Sequence, residues 1–450
     1  MRRNDHQTKS GRPADHSHAP IGDSCTLFGC GEIQGNVRTG DPLQEHLVTR
    51  KEAQRLRRME EVEQETLDAF MDARRRERRS VLKAGGILGA MTVVGPLFSR
   101  AEGAEARPRR DSSAAAQAAS KGSGKVHVVE CNTETTRLGV IDATVPDFLT
   151  VEPGDTITYR NTWTHFLNKL QPGVPIDVIA QMRVDNPGKG PHSIIGPIGV
   201  RGAEPGDVLE VHFQRLLPMN WGVTFNNPGA LGTGALPDVF PEGQVKYLDL
   251  DLSSMTARFN ADIQLSLAPF QGTFGVAHPD GFFGSVNGVV SSVPPGPHGG
   301  NLDLRELNEG SRLFLPVWRP GAKIYTGDSH ALQGDGEVNL TAIETAMQVI
   351  RIQVFLHKQR QLNFPIAETP SHWIALGVDR DLDQAFRLCL LNAIDFLANR
   401  AGLTRLDAYA LLSIGASFRV TQVVDINKGV HCMIPKSIFH SRLRQQIRVV

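Results

Sequence analysis

Glu204-Pro205-Gly206-Asp207-Val208-Leu209-Glu210-Val211-His212-Phe213 is a turn that feeds directly into a strand. Proline presets φ near about −65° and glycine tolerates positive φ, so the first four residues favour a tight reversal. Behind the turn, Leu209, Val211 and Phe213 alternate with Glu210 and His212, the period-two pattern of a half-buried strand. The same device stands upstream, where Glu152-Pro153-Gly154-Asp155 precedes the short β-prone run 156–159. Residues 126–130 form another such run. The 44 glycines and 27 prolines among 450 residues exceed the roughly 12% background of ordinary proteins, which points to many turns and short strands.

Helical periodicity is concentrated late. Residues 381–400 place Ala385, Leu388, Cys389, Leu390, Ala393, Ile394 and Leu397 at three- and four-residue steps, with Gly402 just beyond. Thr404 can cap a second helix that has Asp407 in its first turn. The pattern predicts a mainly β protein with an α+β C-terminal part, in which a helical hairpin packs on a sheet. The expected division is an N-terminal β domain over 125–260 and a C-terminal α+β domain over 261–450.

The front of the chain reads as an address. Residues 1–77 are polar and lack sustained periodicity, as in a disordered leader, or in a chain whose true start is Met59 or Met71. Arg78-Arg79-Ser80-Val81-Leu82-Lys83, the apolar run 84–98 and Ala104-Glu105-Ala106 together resemble a twin-arginine signal over 78–106. The apolar run is shorter than the roughly 20 residues a bilayer needs, so a stable membrane span is not expected. Residues 107–124 then read as a flexible linker. This predicts engagement with the twin-arginine export machinery and a periplasmic or extracellular protein.

Forty-eight basic residues balance forty-eight acidic ones, so no net field invites nucleic acid. Three cysteines beyond the leader, Cys131, Cys389 and Cys432, form no CxxC pair and no disulfide framework.

The densest polar segment runs from Gly296 to Glu337. Pro297-His298-Gly299-Gly300-Asn301-Leu302-Asp303 opens it, and Gly327-Asp328-Ser329-His330-Ala331-Leu332-Gln333-Gly334-Asp335-Gly336-Glu337 closes it. In an extended chain Asp328 and His330 face one side, as do Asp335 and Glu337. A turn through Gln333-Gly334 would bring the two pairs together. Carboxylates with imidazole suit zinc or calcium, and a divalent ion can polarise an amide carbonyl and activate water. The plainer alternative is that Gly-Asp-Gly strings cap turns, their carboxylates satisfying backbone N–H groups. A serine nucleophile is disfavoured, because Gly284-Ser285-Val286-Asn287-Gly288 lacks the Gly-x-Ser-x-Gly form.

These two strings closely resemble signatures of the acetamidase/formamidase family. Gly196-Pro197-Ile198-Gly199-Val200-Arg201-Gly202-Ala203-Glu204-Pro205-Gly206-Asp207 is similar to its N-terminal motif. Ala268-Pro269-Phe270-Gln271-Gly272-Thr273-Phe274-Gly275-Val276-Ala277 and the tail 423–436 fit as well. The resemblance implies a β-sandwich-like fold, hydrolysis of a small formamide- or acetamide-like substrate, a bound divalent metal, and a homo-oligomer. It implies His298, Asp328, His330 and Asp303 as metal ligands, with Glu337 as general base beside Asp335, and Gln333 and Asn301 orienting the amide. His192 is expected to face the same site. Asn161-Thr162-Trp163-Thr164-His165-Phe166 departs from simpler members, and if it lines the pocket the substrate is bulkier or different. Two alternatives stand beside the amidase: the same fold and metal acting on another C–N or ester bond, and an exported metal- or solute-binding protein.

Overall fold

The computed structural model describes residues 124–231, 233–282 and 288–450. The leader, the twin-arginine segment and residues 107–123 of the linker lie outside them.

Both Glu-Pro-Gly-Asp segments close as turns. The N–H groups of Asp155 and Asp207 donate to the carbonyls of Glu152 and Glu204, each at 3.0 Å. The two aspartate carboxylates accept in return from the N–H groups of Glu152 (3.0 Å) and Glu204 (2.8 Å). Gly154 and Gly206 sit at φ 96° and 94°, the left-handed region that glycine enters without strain. Each turn launches a strand, Thr156–Arg160 and Val208–Pro218, and Met347–His357 pairs antiparallel between the two.

This trio lies toward one edge of a nine-stranded sheet. Val126–Glu130 stands outside Thr156–Arg160, and Arg312–Pro316, Ile366–Glu368, His372–Asp379, Lys428–Pro435 and Ser417–Gln422 follow beyond Val208–Pro218. A second sheet, of eleven strands, has Ile324–Leu332 as its spine, flanked by Phe270–Val276, Ile343–Thr345 and Ser193–Val200. Both sheets contain strands from before and after residue 260. The apolar faces of the sheets share one core, in which Phe213 meets Phe274 edge-on at 5.3 Å. The sandwich-like, mainly β expectation therefore holds.

The helical hairpin is also present. Leu382–Ala401 is capped by Asp381, whose carboxylate accepts from the Gln384 N–H, and ends at Gly402 with φ 70°. Arg405–Gly415 is capped by Thr404, which accepts from the Asp407 N–H. The first helix lays Ala385, Cys389, Ala393 and Leu397 against Trp373, Ala375 and Cys432 of the nine-stranded sheet. Gly377 permits that approach, since a Cβ there would stand 2.2 Å from the Cys389 nitrogen. Cys131, Cys389 and Cys432 are free thiols.

The strand that opened the sequence is more buried than alternation predicts. Glu210 is 8% exposed, because Val208–Pro218 lies inside the sheet with partners on both sides. Its carboxylate bonds to His212 Nε2 and His357 Nε2, both at 2.6 Å, with Arg312 at 3.5 Å. Burial pushes its pKa up, but the two histidine bonds outweigh burial and hold it at about 2. A carboxyl depressed from 4.5 to about 2 adds stability above the higher value that is lost as pH falls through the lower. The size is about 3 kcal/mol. Glu210→Gln should therefore flatten the fall in urea midpoint between pH 5 and pH 2, and a slope equal to the parent's would refute the pairing.

Candidate active site

The spine strand Ile324–Leu332 carries Asp328 and His330, which face the same side as expected. His330 Nε2 lies 3.3 Å from Asp328 Oδ1. The neighbouring strand adds Glu344, the ladder partner of His330, whose Oε2 is 3.1 Å from the same Nε2. Two further imidazoles close the group. The Phe166 N–H donates to the Pro191 carbonyl at 2.7 Å, which draws the 164–168 turn against the segment before Ser193–Val200. His165 and His192 thereby stand 5.2 Å apart, ring centre to ring centre. Their Nε2 atoms lie 3.7 and 3.8 Å from Asp328 Oδ1. His192 Nδ1 is held by Ser292 Oγ at 2.8 Å, which leaves Nε2 for the site.

Asp303, Glu337 and Asp425 complete a buried constellation, with ligand-capable atoms of all three within 4.8 Å of one another. Asp303, Asp328 and Glu337 hold φ of 49°, 54° and 46°. Such left-handed, non-glycine backbone collects where a site over-determines it. Gly272, on Phe270–Val276, leaves the room. A Cβ there would lie 2.6 Å from Asp303 Oδ1, 2.6 Å from Asp328 Oδ2 and 2.7 Å from His330 Cε1.

The residues singled out by sequence fall into two sets. Asp303, Asp328, His330 and Glu337 join the constellation, and Asn301 lines the same cavity as Asp328 and Glu337. His298, Asp335 and Gln333 do not line it. Gly299 and Gly300, at φ 83° and 76°, reverse the chain so that Asn301 faces the cavity. His298 instead packs behind, against Phe282 at 4.8 Å. Gly336, at φ 99°, and the turn closed by the Glu337 N–H on the Gly334 carbonyl break the expected alternation. Asp335 therefore points outward to Arg305 and Arg419, at 3.9 and 3.8 Å. Gln333 Oε1 meets His330 Nδ1 at 3.1 Å, while its amide nitrogen donates to the Asp303 carbonyl at 3.0 Å. It positions His330 rather than a substrate. The 161–166 loop does reach the cavity, through His165 and Phe166 rather than Trp163. Glu344 carried no local sequence signal, and Asp425 only its place in the family-like tail 423–436.

The electrostatics favour a cation. Five buried carboxyl groups (Asp303, Asp328, Glu337, Glu344, Asp425) make no ion pair with Arg or Lys among the described residues. Glu337 Oε2 has no hydrogen-bond partner among the described residues, while His330 Nε2 and Glu344 Oε2 face each other at 3.1 Å. Burial raises Glu337 well above its usual range, and Asp303 adds to the effect. Burial likewise lifts Asp303 to about 7, with Asp328 reinforcing it. Burial pushes His165 and His192 down to about 4, so both are neutral near pH 7, the form that ligates metal. Burial pulls His330 down, but Glu344 and Asp328 outweigh it and keep this imidazole protonated. One imidazolium thus stands among five buried carboxyl groups, and a divalent cation would balance the remainder. The His165–His192–Asp328 group, with nitrogen donors and one carboxylate inside 4.8 Å, fits such an ion.

A cavity of about 350 Å³ opens onto this constellation. Its wall includes Phe166, Phe225, Leu340 and Val423 between the polar groups.

The sequence profile described as the Acetamidase/Formamidase family matches residues 142–291 and 285–441. The chain is 27% identical over 294 residues to an acetamidase of Mycolicibacterium smegmatis, spanning 49% of this chain and 72% of that one. A formamidase of Methylophilus methylotrophus is 26% identical over 319 residues, spanning 56% and 78%. Among solved structures, an acetamidase from Bacillus halodurans superposes with TM-score 0.61 at 26% identity, over 69% of this chain and 98% of that one. One from Yersinia enterocolitica gives 0.62 at 29% identity, over 70% and 95%.

Proposed function

Because the chain belongs to the acetamidase/formamidase family and is an amidase, we propose that it hydrolyses a small amide at the Asp328 constellation with a divalent cation. The observation that carries this reading is the set of five buried carboxyl groups that no Arg or Lys offsets among the described residues, beside two neutral imidazoles. His165, His192 and Asp328 would hold the ion, and the nitrogen donors favour zinc over calcium. Such an ion would polarise the amide carbonyl and make water acidic enough to attack near neutral pH.

The chain's own groups do the rest. Glu337 lines the cavity with a free Oε2 and a raised pKa, which suits a group that takes a proton from water and passes it to the departing nitrogen. Asn301 also lines the cavity. Its Oδ1 accepts from the Thr273 hydroxyl, and this fixes the side-chain amide for an oriented contact with the substrate. Gln333 holds His330, and Ser292 holds His192, so the imidazoles keep one orientation. Water adds to the carbonyl carbon, the C–N bond breaks, and carboxylate and ammonia leave. The twin-arginine pattern over 78–106 supports export of this enzyme.

The test is ammonia release from a panel of short amides before and after chelation. Activity should fall below a tenth with chelator and return with one added divalent ion, zinc first. Full activity in protein shown by elemental assay to be metal-free would reject the metal.

A further inference from the structure

We propose that the substrate amide carries a carboxylate at its far end, bound by Arg380 and Lys428. This rests on the amidase reading above and narrows its substrate class to monoamides of short dicarboxylic acids.

Arg380 and Lys428 both line the cavity that opens onto Asp328, Glu337 and Glu344. The topology brings them together. Arg380 follows directly on Asp379, the last residue of His372–Asp379, and Asp379 is the ladder partner of Lys428, which opens Lys428–Pro435. Both strands belong to the nine-stranded sheet, whereas Asp328, His330 and Glu344 belong to the eleven-stranded one. The cavity thus draws these two cations from the end of one sheet and Asp328 and Glu344 from the other, while a third cation, Arg183, comes from the helix Ile176–Val184.

Arg380 is exposed and Lys428 half-buried, so both meet solvent at the cavity. Neither forms an ion pair among the described residues. The strongest charges acting on Asp328, Glu337, Glu344 and Asp425 are one another, Asp303 and the imidazoles, not these two. Asp379, the nearest acid in the ladder, accepts from the Asp381 N–H at 3.1 Å. Two unpaired cations in a cavity wall are a receptor for an anion.

Size and surface agree. A cavity of about 350 Å³ is in the range that holds ligands well beyond a one- or two-carbon amide. Phe166, Phe225 and Leu340 supply apolar wall for a short hydrocarbon spacer. The chemistry balances as simple hydrolysis. The water oxygen bonds to the amide carbon, the C–N bond breaks, the nitrogen leaves with the transferred proton, and a dicarboxylate remains.

The experiment compares kcat/KM for succinamate with that for butyramide, an uncharged amide of the same carbon-chain length, on the full-length metal-loaded protein. Succinamate should be favoured by roughly tenfold or more, as for one well-placed charge contact, and raised ionic strength should shrink the advantage. The succinamate-to-butyramide ratio should drop toward one in an Arg380→Gln, Lys428→Gln double variant and persist in Arg380→Lys. Equal turnover of the two amides by the parent protein would overturn the proposal, as would a preference indifferent to salt or one that the double variant keeps. These leave the amidase reading standing, whereas ammonia from neither amide, nor from any short amide, overturns both. The comparison on the parent protein decides even if the double variant does not fold.

Discussion

Glu337→Gln is expected to lower kcat/KM for amide hydrolysis by roughly 10²- to 10⁴-fold, the range for loss of a positioned general base. The replacement keeps shape and hydrogen-bonding reach, so it removes little but the ability to carry a proton. Glu337 is held inward by the turn through Gly334 and Gly336, and its Oε2 has no hydrogen-bond partner among the described residues. Burial first, and Asp303 second, raise its pKa well above the ordinary carboxylate range. A carboxyl so displaced accepts a proton from water more readily than an exposed glutamate, and holds it until the departing nitrogen, a stronger base, takes it. Metal content measured on the same sample separates two roles. Loss of rate with full metal supports the base, while loss of both makes Glu337 a ligand, in line with its grouping beside His330 and Glu344. A variant within tenfold of the parent rate would remove Glu337 from the chemistry.

The parts of this protein that were legible in the sequence are those whose cause is local. Pro-Gly pairs dictate the turns at 152–155 and 204–207, and the caps at Asp381 and Thr404 sit where side-chain oxygen and helical periodicity coincide. Asp328 and His330 were readable for the same reason, being two apart on one strand. Long-range pairing is another matter. Glu344 meets His330 because they are ladder partners, and no feature of Glu344's own neighbourhood announces that register. Asp425 arrives from a loop tied to Gly336 by the Val423 N–H, and His165 through a contact with Pro191. The residues set outside the constellation fail for a stated backbone reason. Left-handed glycines at 299, 300 and 336 turn His298 and Asp335 away, and period-two counting assumes those residues to be extended. Glu210 misled in the opposite sense, since alternation marks it as solvent-facing while two histidines keep it buried and paired.

Gly272→Ala should separate the site from the fold with one methyl group. Gly272 does not lie at a positive φ, so alanine carries no backbone penalty there, and the whole effect comes from what the methyl meets. It meets the constellation, at 2.6 Å from Asp303 Oδ1 and Asp328 Oδ2 and 2.7 Å from His330 Cε1. Those distances are well inside van der Waals contact, so either the strand or the three side chains must move. The strand cannot easily yield. Phe270–Val276 is paired on one edge with Ile324–Leu332 and on the other with Gly299–Asn301, while the Gly272 carbonyl accepts from the Asp303 N–H at 3.1 Å. Gln271 and Thr273 on either side are bonded to Ser329 and Asn301. The carboxylates and the imidazole therefore give way. Overpacking of this kind costs roughly 1–3 kcal/mol of stability, small enough for the protein to remain folded at room temperature. The functional cost is larger, because a displacement of about 1 Å in reacting groups is worth roughly a hundredfold in rate, and loss of the metal would add to it. Gly272→Ala should thus purify folded, with metal content well below the parent's and activity down by at least that factor. Parental metal content and a rate within twofold would mean that the cradle is loose, and that Asp303, Asp328 and His330 do not act as one tightly fitted group.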